Sequence, residues 1–178
     1  MPPPGASHPS EAVSDPLSSL PVDGRQSERA LAIARGTLRL LRAHDFSGIP
    51  EYTLAHGRRA DILSLGPKGD IWLIEIKSSV HDFRSDEKWQ DYLPYCDRFS
   101  FAVGPDFPQS LIPAEVGLIV ADKYGGEILR DAFSKPLPPA RRKAITLDFA
   151  RIAARRLHGL FDIDPQAITA NRGDEHQT

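Results

Sequence analysis

The chain has 178 residues, of which 40% are hydrophobic, 26% charged and 8% aromatic. That composition excludes a wholly disordered chain, a collagen and a coiled coil, and the length allows one domain with a buried core. A net charge of −2, from 22 basic and 24 acidic residues, excludes a histone-like polycation.

The first 24 residues are rich in Pro, Ser, Gly and Asp, and six of the 16 prolines fall before residue 22. Such a segment buries too little apolar surface to offset its chain entropy, so residues 1–24 are expected to be disordered. They lack the basic and apolar regions of a secretory leader. A helix is expected over 27–44, with Ser27 as N-cap, Glu28 in the first turn, and Leu31, Ala34, Leu38 and Leu41 at helical spacing. Gly48-Ile49-Pro50 should break the pattern. Strands are then expected over 51–55, 60–65 and 70–77, the last two joined by the turn Gly66-Pro67-Lys68-Gly69. The charged stretch 82–93 reads as a helix that ends near Pro94. Strands follow at 98–103 and 116–121, and Glu127–Arg130 is placed to pair back. A final helix spans about 140–160, with Ile145, Phe149, Ile152, Leu157 and Leu160 as its apolar stripe. Residues 163–178 form a polar tail. The order α-β-β-β-α-β-β-β-α predicts an α+β (mixed α/β) domain over 25–162, a central mixed sheet flanked by helices.

The strand at 70–77 is the informative one. Side chains alternate across a strand, so Ile71, Leu73, Glu75 and Lys77 share one face, and Trp72, Ile74 and Ile76 the other. Both faces start apolar, as in a central strand covered on both sides. A Glu and a Lys at its end are either a solvent-exposed ion pair or a site, because buried charge is expensive unless paired or metal-bound. The preceding strand and the loop that joins it favour a site. Pro67 suits the first corner of a type I turn and Gly69 the left-handed residue that closes it. A three-residue loop, Pro67–Gly69, then sets Asp61 opposite Glu75, with Cβ atoms about 5 Å apart. A four-residue loop would set Asp61 opposite Ile74, on the wrong face. Two converging carboxylates repel, and a divalent cation resolves the repulsion. Lys77, on the same face, can orient water or stabilise developing negative charge. These are the parts of metal-assisted phosphodiester hydrolysis.

Asp61, thirteen further residues and then Glu75-Ile76-Lys77 resemble the PD-(D/E)XK nuclease motif, although Arg59-Ala60 stand where that motif has a Pro before the Asp. A wider set of segments resembles the MmcB-type bacterial DNA-repair proteins: Gly57-Arg-Arg-Ala-Asp61, Glu75-Ile-Lys-Ser-Ser79, Asp82-Phe-Arg84, Asp86-Glu-Lys-Trp89, Tyr95-Cys-Asp-Arg98, Gly117-Leu-Ile-Val-Ala-Asp122 and Pro139-Ala-Arg-Arg-Lys143. The resemblance implies a restriction-endonuclease-like core and a nuclease, an endonuclease by type, that uses Mg²⁺ (or Mn²⁺) on DNA in repair. By position it implies Asp61, Glu75 and the Ile76 carbonyl as metal ligands and Lys77 as the catalytic lysine. Glu28 and Glu51 compete for the role of an additional acid, and Lys88 and Gln90 for that of a polar residue after the strand. The alternatives are a catalytically silent module that binds DNA or a repair partner, and an RNA-processing nuclease.

Other residues have plainer readings. Arg58 and Arg59 either hold a DNA phosphate or neutralise the acids beside them. The final helix carries Arg141, Arg142, Lys143, Arg151, Arg155 and Arg156 against Asp148 alone, which suits a nucleic-acid backbone or a solvated face. Trp72 and Trp89 are expected in the core. Cys96, the one cysteine, is expected as a buried thiol in a reducing compartment. His44, His56, His81 and His158 lack metal-ligand spacing. No apolar run approaches the roughly 20 residues of a membrane span. The expected location is the cytoplasm, with the nucleoid. Near-neutral charge here is a sum over segregated segments: five Arg against Glu28 in 25–42, and five acids against two bases in 81–97.

Overall fold

A computed structural model describes residues 27–86 and 88–162; the expected disordered leader (1–24) and polar tail (163–178) lie outside the described residues. Helix α1 (Glu28–Ala43) starts as expected, with the Ser27 hydroxyl accepting from the Ala30 N–H and Glu28 at the positive end. It buries Ile33, Leu40 and Leu41. At Gly36 a Cβ would stand 2.0 Å from the Asp122 carbonyl oxygen, so only glycine lets the helix pass this close. Six strands follow, with helices between and after them: β1 (Ser47–Thr53), β2 (Arg59–Leu65), β3 (Ile71–Lys77), α2 (Val80–Ser85), β4 (Arg98–Val103), β5 (Gly117–Ala121), β6 (Gly126–Arg130) and α3 (Pro139–Phe161).

The strands lie in chain order in one sheet. β3 runs parallel to β4, and β4 to β5; the other pairs are antiparallel. This is the expected class, a mixed sheet with helices on both faces. α1 covers one face, over Ile62, Trp72, Ile74, Ile76, Ala102 and Ile119. The other face carries Leu63, Leu73, Phe99, Phe101 and Val103, packed under Trp89, Ile145 and Phe149. Every residue of β3 is buried, as a central strand requires. Trp72 and Trp89 are core residues: the Trp72 indole N–H donates to Ser100 Oγ at 2.9 Å, and Trp89 stacks on Phe99. Cys96 is buried, and burial pushes its thiol up to about 12. Among the described residues no helix is long and apolar enough to cross a membrane.

Three elements differ from expectation. β1 starts at Ser47, so Gly48-Ile49-Pro50 is strand rather than break. Proline is tolerated because β1 is an edge strand. Its alternation then inverts at Glu51, which has φ +50°, so that Ile49 and Tyr52 both face the same core. The single helix expected over 82–93 is instead α2 followed by a 3₁₀ helix, Trp89–Tyr95, which contains Pro94. The tighter turn brings Trp89 and Tyr92, three apart, onto one buried side. On α3, Ile145 and Phe149 are buried but Leu157 and Leu160 are exposed. Eight residues beyond Phe149, Leu157 has turned about 80° round the helix, and Leu160 lies past the last buried turn.

A buried acid ties α3 to the sheet. Asp97, just before β4, accepts the Ile71 N–H (2.7 Å), the Leu137 N–H (2.7 Å) and both arms of the Arg142 guanidinium (2.6 Å each). Burial alone would raise its pKa, but these donors hold it below the usual carboxylate range. Arg156 donates to the Pro50 and Glu51 carbonyls (2.6 and 3.1 Å), and Arg141 to the Pro94 carbonyl (2.9 Å). Three of the six bases on this helix therefore bind protein.

Candidate active site

The β2–β3 register is the expected one. Ile62 pairs with Ile74, Leu63 with Leu73, Ser64 with Trp72 and Leu65 with Ile71. The Gly66 N–H donates to the Asp70 carbonyl at 2.8 Å, and Gly69 closes the three-residue loop at φ +79°. Asp61 is therefore opposite Glu75. Beyond the Ile62–Ile74 pair the backbone ladder stops, although both strands continue. Carboxylates take over the backbone groups there. Asp61 Oδ2 accepts the Ile76 N–H at 2.7 Å, and Glu75 Oε1 accepts the Asp61 N–H at 3.2 Å. Each acid thus holds the other's strand. Among the described residues, no hydrogen bond reaches Asp61 Oδ1 or Glu75 Oε2.

The two carboxylates are poorly solvated and close. Burial raises the Asp61 pKa to about 6, against the Ile76 N–H and Lys77, which lower it. Burial and the neighbouring Asp61 charge push Glu75 well above the usual carboxylate range. Lys77, on the same face, is also buried. Its burial favours the neutral amine, but Asp86 at 2.6 Å, with Glu75 and Asp82 nearby, outweighs this and raises the pKa, so the ammonium persists. Asp82 stands 4.0 Å from the same nitrogen.

A hard divalent cation fits this donor set. Among the described residues, each carboxylate keeps one oxygen without a hydrogen-bond donor, and a cation between them would relieve both their repulsion and their desolvation. Ile76 sends its side chain into the α1 core, so only its backbone belongs to the site. Among the described residues there is no group of three His, Cys, Asp or Glu side chains arranged around one point. A cation here would rest on two side chains, backbone and water.

The remaining predicted residues divide. Glu51 lies on β1 level with Asp61, between the Pro50–Ile62 and Tyr52–Ala60 pairs, and its carboxylate is 3.6 Å from Arg59. Glu28 is exposed on α1, the helix over the opposite face. Arg58 pairs with Asp91 at 3.0 Å. Lys88 is exposed; its N–H donates to Asp86 and its carbonyl accepts from Arg58. Gln90 is exposed on the 3₁₀ helix, beside a cavity of about 740 Å³ that also meets Asp97 and Arg98, toward the other end of the sheet.

Sequence reasoning gave no role to Asp82, Asp86 or Tyr92. The signal for the first was present: Ser79-Val-His-Asp82 is a capping pattern after the Glu75–Lys77 strand. Ser79 Oγ accepts the Asp82 N–H, and the Asp82 carboxylate accepts the Ser78 N–H, both at 3.1 Å. Asp86 follows where α2 ends. The Tyr92 hydroxyl donates to the Arg59 carbonyl at 3.1 Å, bracing the strand two residues before Asp61; burial and the site carboxylates raise its pKa.

The model of a family described as "DNA repair protein MmcB-like" matches residues 18–164. A solved structure of a protein of unknown function from Silicibacter pomeroyi is 50% identical, with a TM-score of 0.74, covering 77% of this chain and 94% of that one. No curated protein matches the chain.

Proposed function

We propose that this chain, which belongs to the MmcB-like family of DNA repair proteins, serves DNA repair as a divalent-metal-dependent nuclease with a PD-(D/E)XK site. The observation that carries this reading is the Asp61–Glu75 pair, opposed across β2 and β3 with both pKa values raised, beside a buried Lys77 ammonium. Asp61 and Glu75 would hold Mg²⁺ or Mn²⁺, with the Ile76 carbonyl as a further donor. When bound, the ion supplies an activated water and neutralises the scissile phosphate. Lys77 donates to the phosphate oxygen on which negative charge develops. Asp86 keeps that ammonium charged and in place. Arg58 and Arg59 exchange Asp91 and Glu51 for flanking DNA phosphates.

The test is the purified full chain with Mg²⁺ or Mn²⁺ on nicked, branched, mismatched and single-stranded DNA, with structured RNA alongside. Cleavage of DNA that is lost in Asp61→Ala and Glu75→Ala supports the reading. Cleavage unchanged in both removes the site assignment, and preferential cleavage of RNA replaces the substrate.

One observation favours a second reading, a catalytically silent module that binds DNA or a repair partner. Among the described residues, no third His, Cys, Asp or Glu side chain joins Asp61 and Glu75. Retained DNA affinity with no heat of Mg²⁺ or Mn²⁺ binding decides for the module.

A further inference from the structure

Helix α3 carries two apolar stripes. One is docked: Ile145 and Phe149 are buried, and Ile152 and Ala153 pack against the same core. The other is centred about 130° further round the helix, with Leu157 at its near edge. Leu147, Ala150, Ala154, Leu157 and Phe161 recur at steps of three, four, three and four, the spacing of a helix-pairing seam. All five are exposed, Leu147 by 56%, Leu157 by 54% and Phe161 by 81%. A helix with a second apolar stripe, separate from the docked one, offers a second surface to cover.

We propose that this seam pairs antiparallel with the same helix of a second copy of the chain, on a two-fold axis at Ala154. Sizes match in that register. Ala154 meets its own copy, where small side chains allow close approach, and Leu147 at each end meets Phe161 of the other copy. The charge matches too. Lys143, exposed on the same side one turn before Leu147, comes to the C-terminal end of the partner helix, whose last carbonyls are negative. With the seam about 130° from the docked stripe, the two bodies sit toward the outer sides of the helix pair. The seam is about 21 Å long, so the pair is small, near the lower bound of roughly 1,200 Å² for a specific interface. Micromolar dissociation is expected.

Nucleic acid is a poor occupant, since a phosphate backbone seeks cations and the seam has only Lys143. The chain's own residues 163–178 are the other candidate, which the experiment separates.

Sedimentation velocity of the full chain from about 1 to 200 µM is expected to show a monomer–dimer equilibrium. Leu157→Asp is expected to remain monomeric with unchanged circular dichroism and melting. Ala154→Cys is expected to form a disulfide-linked dimer on oxidation, whereas the native Cys96, buried, does not react. A wild-type monomer at every concentration overturns the proposal. So does a dimer that survives Leu157→Asp, or a monomer whose Cys at 154 is protected from maleimide, which assigns the seam to residues 163–178. A dimer lost in Leu157→Asp but never cross-linked at 154 overturns the register.

Discussion

Strand β3 has a buried acidic centre at each end, and the two are solved in opposite ways. At the Ile71 end one carboxylate, Asp97, receives four donor hydrogens, two from backbone and two from Arg142. At the Lys77 end two carboxylates face each other with one backbone N–H apiece, and the nearest cation is drawn to Asp86. The first carboxylate is held below its ordinary pKa and the second pair above it. A buried acid that holds a fold together brings its own donors. One left short of them marks a candidate ligand site, and the shortage distinguishes it better than burial does.

Removing the satisfied acid is expected to have the largest effect. Asp97→Ala strands Arg142 and two backbone N–H groups and is expected to destabilise the protein by about 3–5 kcal/mol in urea unfolding. A loss below about 1 kcal/mol would erase the contrast between the two ends. Under the proposed function, Lys77→Met is expected to slow metal-dependent cleavage by about 10²–10³-fold, read in single-turnover assays, because the lysine would act on charge that develops in the transition state.

The pH dependence of the two ends has opposite sign. Asp61, raised to about 6 when folded, binds its proton more tightly in the native state than in the unfolded chain, where its pKa is about 3.9. The folded state is thus favoured at low pH. In metal-free protein the stability of wild type relative to Asp61→Asn is expected to fall by roughly 1–3 kcal/mol from pH 4 to 6 and to level off above. Asp97 is depressed, so its contribution is full above the unfolded pKa of about 3.9 and is lost only as pH falls through the lower folded value. The difference between wild type and Asp97→Asn is expected to stay flat from pH 8 to about 4. The smallest effect is expected from Tyr92→Phe, about 1 kcal/mol for one hydrogen bond, together with, under the proposed function, a measurable loss of cleavage.

Only one of these centres was legible in the sequence. Pro67 and Gly69 specify the hairpin loop, the loop specifies the register, and the register sets Asp61 against Glu75. Each step is local, so each can be read from neighbours in the chain. Asp97 and Arg142 are 45 residues apart and meet only because α3 returns across the sheet, and nothing in their spacing says so. Glu51 is another case. Its left-handed backbone is secured by Arg156, 105 residues away, and local pattern alone placed the start of β1 four residues late. The stripe on α3 was misread at Leu157 and Leu160 because apolar spacing marks a helix but not where the body beneath it ends. The Asp82 and Asp86 contacts depend on α2 stopping at Ser85, which a charge run over 82–93 concealed.

The most direct test of the unpaired acids is calorimetric titration of Mn²⁺ into the metal-free full chain at pH 7.5, in wild type and Glu75→Gln. The expected result is one binding event in wild type, absent in Glu75→Gln, with a variant that is folded and at least as stable as wild type without metal. Equal binding in the two proteins, or none in wild type, would contradict the account.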